Sequence, residues 1–259
     1  MLRILCILLL AGLLGWSSNG HKTGSPFDEN GPLALGMPVP DSAGLSPLLL
    51  EKPSYVISYD CQNNRPAWVA WHLQASDIGD AERSTAGFYP EPDLPETCYR
   101  VTPGDYTGTG YDRGHLLCSA DRTANDSLNA STFTMANVTL QAPQFNRVTW
   151  LALETYEREL AVNGNECYII AGTTGSKGVI KRASITIPAY MWKLIVCLPE
   201  GTNDLKRIDK KTKIIAAYFP NSDTVTRHPW KYYKIPLAKL EKETGYKFLL
   251  ALEDKLPHK

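Results

Sequence analysis

Apolar and polar residues alternate with strand period at several places along the 259 residues. Residues 55–59 (Tyr-Val-Ile-Ser-Tyr) and 68–73 (Trp-Val-Ala-Trp-His-Leu) read as neighbouring strands, with a turn over 61–66, and together as a β-hairpin. Residues 168–172, 189–196 and 213–219 are apolar runs of strand length. Two stretches carry a helical pattern instead. Residues 148–161 are rich in helix formers and stop at Asn163-Gly164. Residues 235–244 place Leu237 and Leu240 on one face and end at Gly245, a C-cap residue. Residues 77–110 are loop-like, and no internal repeat is evident.

The first 53 residues differ from the rest. Arg3 is followed by an apolar run over 4–16 and then by small polar residues, the order of a secretory signal peptide. That run is shorter than the roughly 20 residues a spanning helix needs. The expected organisation is a signal peptide over 1–20, an irregular Gly/Pro/Ser-rich arm over 21–53 and one domain over 54–259, in a secreted or periplasmic protein. Export permits disulfides. Cys61, Cys98, Cys118, Cys167 and Cys197 fit up to two bridges and one free thiol. They have no zinc-site spacing, and their pairing stays open.

Charge alone does not reveal a partner. The 27 basic residues equal the 27 acidic ones, and loss of 1–20 removes only Arg3. Any phosphate-binding surface therefore comes from local clustering. Lys177, Lys181, Arg182, Lys206, Arg207, Lys210, Lys211 and Lys213 form either such a rim or solvated turns.

Two constellations carry chemistry. On the central helix Asn146, Trp150, Glu154 and Arg158 recur every four residues and share a slowly drifting face. A plain Glu154–Arg158 surface ion pair is the alternative reading. The other constellation is a Gly-rich loop running into Asp112-Arg113-Gly114-His115. A neutral imidazole takes a proton from water near pH 7. Arg113 suits a phosphate, and Gly114 allows a turn other residues resist. His72, His228 and His258 read as structural histidines.

Asp-Arg-Gly-His resembles the signature of the DNA/RNA non-specific endonucleases, the ββα-metal nucleases of the Serratia-nuclease type. Residues 135–141, with Asn137 and Gln141, are similar to the strand that follows in that family. Asn146, Trp150, Glu154 and Arg158 match its metal-binding helix. Arg83, Phe88 and Leu94-Pro95 resemble its upstream segment. Leu140 departs from the pattern, which often has Pro there. The resemblance covers about residues 54–250.

It implies an α+β fold, with a mostly antiparallel central sheet, flanking helices and a ββα-metal (His-Me finger) site. It also implies hydrolysis of DNA and RNA to 5′-phosphate ends. His115 is then the general base, and Asn146 the direct ligand of one Mg²⁺, which Glu154 approaches through a water. Arg83, Arg113 and Arg158 steady phosphate charge, while Asp112, Asn137 and Gln141 support the site. Glu154 lies roughly 12 Å along the helix axis from Asn146, at ~1.5 Å per residue, which suits an indirect role. Mn²⁺ can replace Mg²⁺ at an oxygen site. Phosphate contacts carry no base information, so weak sequence preference is expected. No stable protein partner is inferred. Two alternatives stay open: a phosphodiesterase restricted to one nucleic acid, and a secreted, non-catalytic nucleic-acid-binding protein.

Overall fold

The computed structural model describes residues 24–41, 48–252 and 254–256. The expected signal peptide and His258 lie outside these residues. A short ribbon pairs β1 (Val39–Pro40) with β13 (Tyr246–Lys247). The main sheet has seven strands, in the order β12 (Lys234–Ile235), β11 (Lys213–Pro220), β10 (Tyr190–Pro199), β7 (Asn165–Thr174), β4 (Arg65–Leu73), β3 (Tyr55–Asp60) and β2 (Leu48–Lys52). Every pairing in it is antiparallel. The five strand segments expected from apolar patterning all lie in this sheet.

The sheet is covered on both faces, which is why its central strands read as nearly continuous apolar runs. Trp71, Ile169, Ile195 and Phe219 face one core. Trp68, Tyr168, Trp192 and Val196 face the other. Two helices are short, α1 (Asp126–Ser131) and α3 (Asp204–Arg207). The longer α2 (Leu151–Val162) packs on the first core, and α4 (Leu237–Thr244) packs Leu240 into the second. Gly245 ends α4 at φ 71°, the left-handed cap its position suggests. Two hairpins stand apart from the sheet: β5 (Asp112–His115) with β6 (Val138–Gln141), and β8 (Gly178–Ile180) with β9 (Ile185–Ile187).

One expectation needs adjustment. The arm expected to be irregular over 21–53 contains order, since Leu48–Lys52 is an edge strand paired to β3 along its whole length. Leu33 and Leu35 are buried in the second core. A Pro- and Gly-rich stretch hides such a strand, because one five-residue apolar run carries little periodic signal. Within the limit of two bridges, the described cysteines form one, between Cys61 and Cys98, with Cys118, Cys167 and Cys197 as buried thiols. The bridge fastens the long 77–110 loop to the end of β3.

Candidate active site

The β5–β6 hairpin and the helix after it form one ββα unit. The pairs Asp112↔Gln141 and His115↔Val138 set the hairpin register. The chain then enters a π-helical turn over Phe145–Trp150, where the Leu151 amide donates to the Asn146 carbonyl, before regular α2 begins. The expected straight α-face from Asn146 to Arg158 is therefore interrupted. The wider turn rotates Asn146 relative to Glu154, and such turns recur at functional sites.

Asn146 is oriented by the motif strand. Its Nδ2 donates to Asp112 Oδ2 over 2.9 Å. Arg147 grips the same carboxylate twice, Nε to Oδ2 at 2.8 Å and Nη2 to Oδ1 at 2.6 Å. Burial alone would raise the Asp112 carboxyl, but the hydrogen bonds from Arg147 and Asn146 hold it below its ordinary value. With its nitrogen committed, Asn146 Oδ1 has no hydrogen-bond partner among the described residues.

His115 ends β5 and is 8% exposed. Its ring lies between Phe88 and Phe133, with centroids 5.2 and 5.1 Å away. Nε2 is buried with no partner among the described residues. Burial, helped by the nearby Arg83 cation, pushes the imidazole down to about 3. The ring is therefore neutral at pH 7. Arg83 sits 4.7 Å over the Phe133 ring and donates to Ser119 Oγ at 2.8 Å.

Glu154 is buried on α2 and makes no hydrogen bond among the described residues. Burial pushes its carboxyl up to about 8, against the pull of Lys193. Lys193 is fully buried in β10. It lies 2.8 Å from Glu157 Oε1 and 4.4 Å above the Trp150 ring. Arg158 turns to Asp121 Oδ1 (2.9 Å) and Cys118 Sγ (3.0 Å). The surface Glu154–Arg158 ion pair weighed from the sequence does not form.

The supporting residues divide. Asn137 donates to the carbonyls of Leu117 and Thr132 and accepts from the Leu117 amide, so it braces the loop behind His115. Gln141 is buried with neither amide atom paired among the described residues, and it lies across Gly114. Gly114 sits in a strand, not in the turn its glycine suggested. A Cβ there would meet Gln141 Oε1 at 1.7 Å, so close approach is what requires glycine. Arg113 gives Nε and Nη2 to the Pro103 carbonyl, at 3.2 and 2.7 Å. Sequence reasoning missed Arg147, Asp121 and the Lys193–Glu157 pair. Asp121, six residues past the motif histidine, was the one with a local cue.

Of the eight cations in the expected rim, four are engaged within the molecule, among them Lys213, whose Nζ donates to the Tyr156 hydroxyl at 2.7 Å. Arg182 Nη2 caps three backbone carbonyls, Lys177 holds the Asn221 carbonyl, and Arg207 pairs with Glu166 and Asp204.

Two places suggest a cation. The ligating atoms of His72, Glu166 and Asp204 come within 4.8 Å of one another. That cluster lies against the second core, on the sheet face opposite α2, and the Arg207 guanidinium already pairs with both of its carboxylates. The other is the ββα unit. That unit carries Glu154, Asn146 Oδ1 and Gln141 Oε1 without hydrogen-bond partners among the described residues, and side-chain oxygens are the donor type Mg²⁺ selects.

Residues 38–255 match the family of DNA/RNA non-specific endonucleases. The chain belongs to this family. It is 43% identical to a nuclease of Nostoc sp. over 201 residues, 78% of this chain and 73% of that one. It is 31% identical to nuclease C1 of Cunninghamella echinulata var. echinulata over 219 residues, 79% of this chain and 83% of that one. The fold is that of EndoG, solved in complex with EndoGI in work on EndoG inhibition. The TM-score is 0.76 at 23% identity, over 92% of this chain and 99% of that one. The protein is accordingly a nuclease that hydrolyses nucleic-acid phosphodiesters. As an enzyme it departs from the binding-protein alternative.

Proposed function

We propose that this nuclease cleaves DNA and RNA without marked sequence preference, using a divalent cation, with His115 as general base, and leaving 5′-phosphate ends. The carrying observation is a buried, neutral His115 on the same hairpin whose first residue, Asp112, orients Asn146. The neutral imidazole takes the proton as a water oxygen bonds to phosphorus. The P–O3′ bond then breaks, and the phosphate stays on the 5′ side.

Asn146 Oδ1 and the Glu154 carboxylate are the groups that would hold Mg²⁺, or Mn²⁺ in its place, with Glu154 acting through water. Such an ion neutralises phosphate charge and eases departure of the leaving oxygen. Arg83 has one Nη1 bond to Ser119 and remains the arginine best able to meet a phosphate. Arg113 and Arg158 act mainly by bracing their loops. These contacts address the backbone, so both sugars and both strand states are substrates. The apolar run over 4–16 supports export, and the disulfide between Cys61 and Cys98 is consistent with an oxidising compartment.

The test is a plasmid and total-RNA digest with Mg²⁺, with EDTA and with His115→Ala. Loss of both substrates only in the intact, metal-loaded enzyme is expected. Full activity of His115→Ala would overturn the assignment of the base, and digestion of one substrate alone would restrict the reading to one nucleic acid.

A further inference from the structure

His228 and Tyr232 stack face to face on the surface, with centroids 4.0 Å apart and planes 16° apart. Tyr232 is 65% exposed. A stacked pair open to solvent contributes little to any core, and neither ring belongs to one.

The pair is rigidly joined to the ββα unit. Tyr232 meets Tyr233 edge-on at 5.2 Å, Tyr233 packs on Phe219 at 5.3 Å, and Phe219 meets Trp150 of the π-turn at 6.0 Å. The Tyr233 hydroxyl donates to the Val225 carbonyl at 2.9 Å. Asp223, on the same segment, accepts from the Gln144 amide at 2.7 Å, two residues before Asn146. Asn221 accepts from the Ala142 amide and donates to the Leu140 carbonyl, each at 2.8 Å.

The surroundings are basic. Lys213 and Lys231 lie 5.2 and 5.7 Å from the Tyr156 ring, and Arg227 is one residue before His228. None of these three cations forms an ion pair among the described residues. Exposed aromatic rings beside unneutralised cations are the elements of a single-strand binding surface, where bases stack and phosphates meet charge. A paired base keeps its faces inside the duplex and offers none to such a ring.

We propose that the His228–Tyr232 stack is a platform for an unpaired base outside the reacting phosphodiester, with Arg227 and Lys231 meeting the backbone. It would favour single-stranded DNA or RNA. This deepens the nuclease reading and rests on it.

The test compares wild type, Tyr232→Phe and Tyr232→Ala on oligo(dT) of 30 nucleotides, a 30-base-pair duplex and bis(4-nitrophenyl) phosphate, a phosphodiester without bases. Tyr232→Ala should raise KM on oligo(dT) by roughly 5- to 150-fold, the worth of one base–aromatic stack. It should leave kcat, the duplex and the baseless diester nearly unchanged, while Tyr232→Phe stays close to wild type. An equal loss on all three substrates, or no loss on oligo(dT), overturns the platform. If wild type cleaves none of them, the nuclease reading has failed. The platform is then read from oligo(dT) binding in EDTA by intrinsic fluorescence. A Kd raised by the same factor in Tyr232→Ala supports it, and an unchanged Kd overturns it.

Discussion

Asn146 Nδ2 lies 2.9 Å from Asp112 Oδ2, so the first residue of the motif strand sets the orientation of the helix amide. Arg147 completes the arrangement by gripping the same carboxylate. Asp112→Asn removes the charge behind both contacts and lets the Asn146 amide rotate. Steady-state kinetics should show kcat/KM lower by about 10- to 100-fold, the usual cost of losing a group that orients a ligand, with the far-UV spectrum unchanged. Wild-type kinetics in this variant would show that Asp112 orients nothing that matters to turnover.

Gly114→Ala tests the packing behind His115. The new Cβ overlaps the Gln141 side chain, whose Oε1 would be 1.7 Å away. Gln141 is fully buried and has little room to withdraw. A loss of about 1–3 kcal/mol in denaturant unfolding is expected, as for overpacked cores, together with reduced turnover. Undiminished stability would mean that Gln141 can turn aside.

Glu154→Gln separates folding from function. The buried carboxylate has no hydrogen bond, and burial raises it to about 8. Near neutral pH in EDTA the folded wild type must take up a proton that the unfolded chain releases, so the always-neutral amide variant should melt higher. Mg²⁺ should raise the wild-type Tm by mass action and leave the variant nearly unmoved. An identical Mg²⁺ response in both proteins would remove Glu154 from the cation site.

The disulfide between Cys61 and Cys98 closes 37 residues of chain. Replacing both cysteines with serine should lower unfolding stability by about 4 kcal/mol on loop-entropy grounds. The closed segment carries Arg83 and Phe88, so activity should fall before the fold is lost. Urea titrations beside activity assays would reveal this, and coincident losses would contradict it.

His72 gives a pH signature independent of the active site. Burial lowers its imidazole to about 4, from an ordinary 6.5. The unfolded chain therefore binds that proton first, and the stabilisation present above pH 6.5 drains away as pH falls towards 4. His72→Gln should flatten this part of the Tm-against-pH curve. An NMR titration placing the His72 midpoint near 6.5 would count against it.

The strands of the main sheet were readable because apolar runs of strand length are rare in loops, and both cores depend on them. Leu48–Lys52 was not, because its five residues adjoin a Pro- and Gly-rich arm and gain order only by pairing with β3. Within the site, the resemblance to the family singles out His115, Asn146 and Glu154, whereas spacing alone leaves a plain surface ion pair on the helix as an alternative. What spacing did not convey was direction. Arg113 and Arg158 both read as phosphate ligands, yet Arg113 turns to a backbone carbonyl and Arg158 to Asp121. The π-turn was invisible too, since no residue type marks where one extra residue enters a helix. Lys193 is one polar residue in an apolar strand, and its partner Glu157 lies 36 positions away.

That buried pair also limits how the chain can change over generations. Losing either Lys193 or Glu157 alone strands a charge beneath the π-turn, at a cost of about 3–5 kcal/mol, comparable to much of a domain's stability. Exchanging both for apolar residues of similar volume is close to neutral. The two positions, distant in sequence, thus form a single heritable unit: a lineage either keeps both or must cross a poorly folded intermediate to discard them.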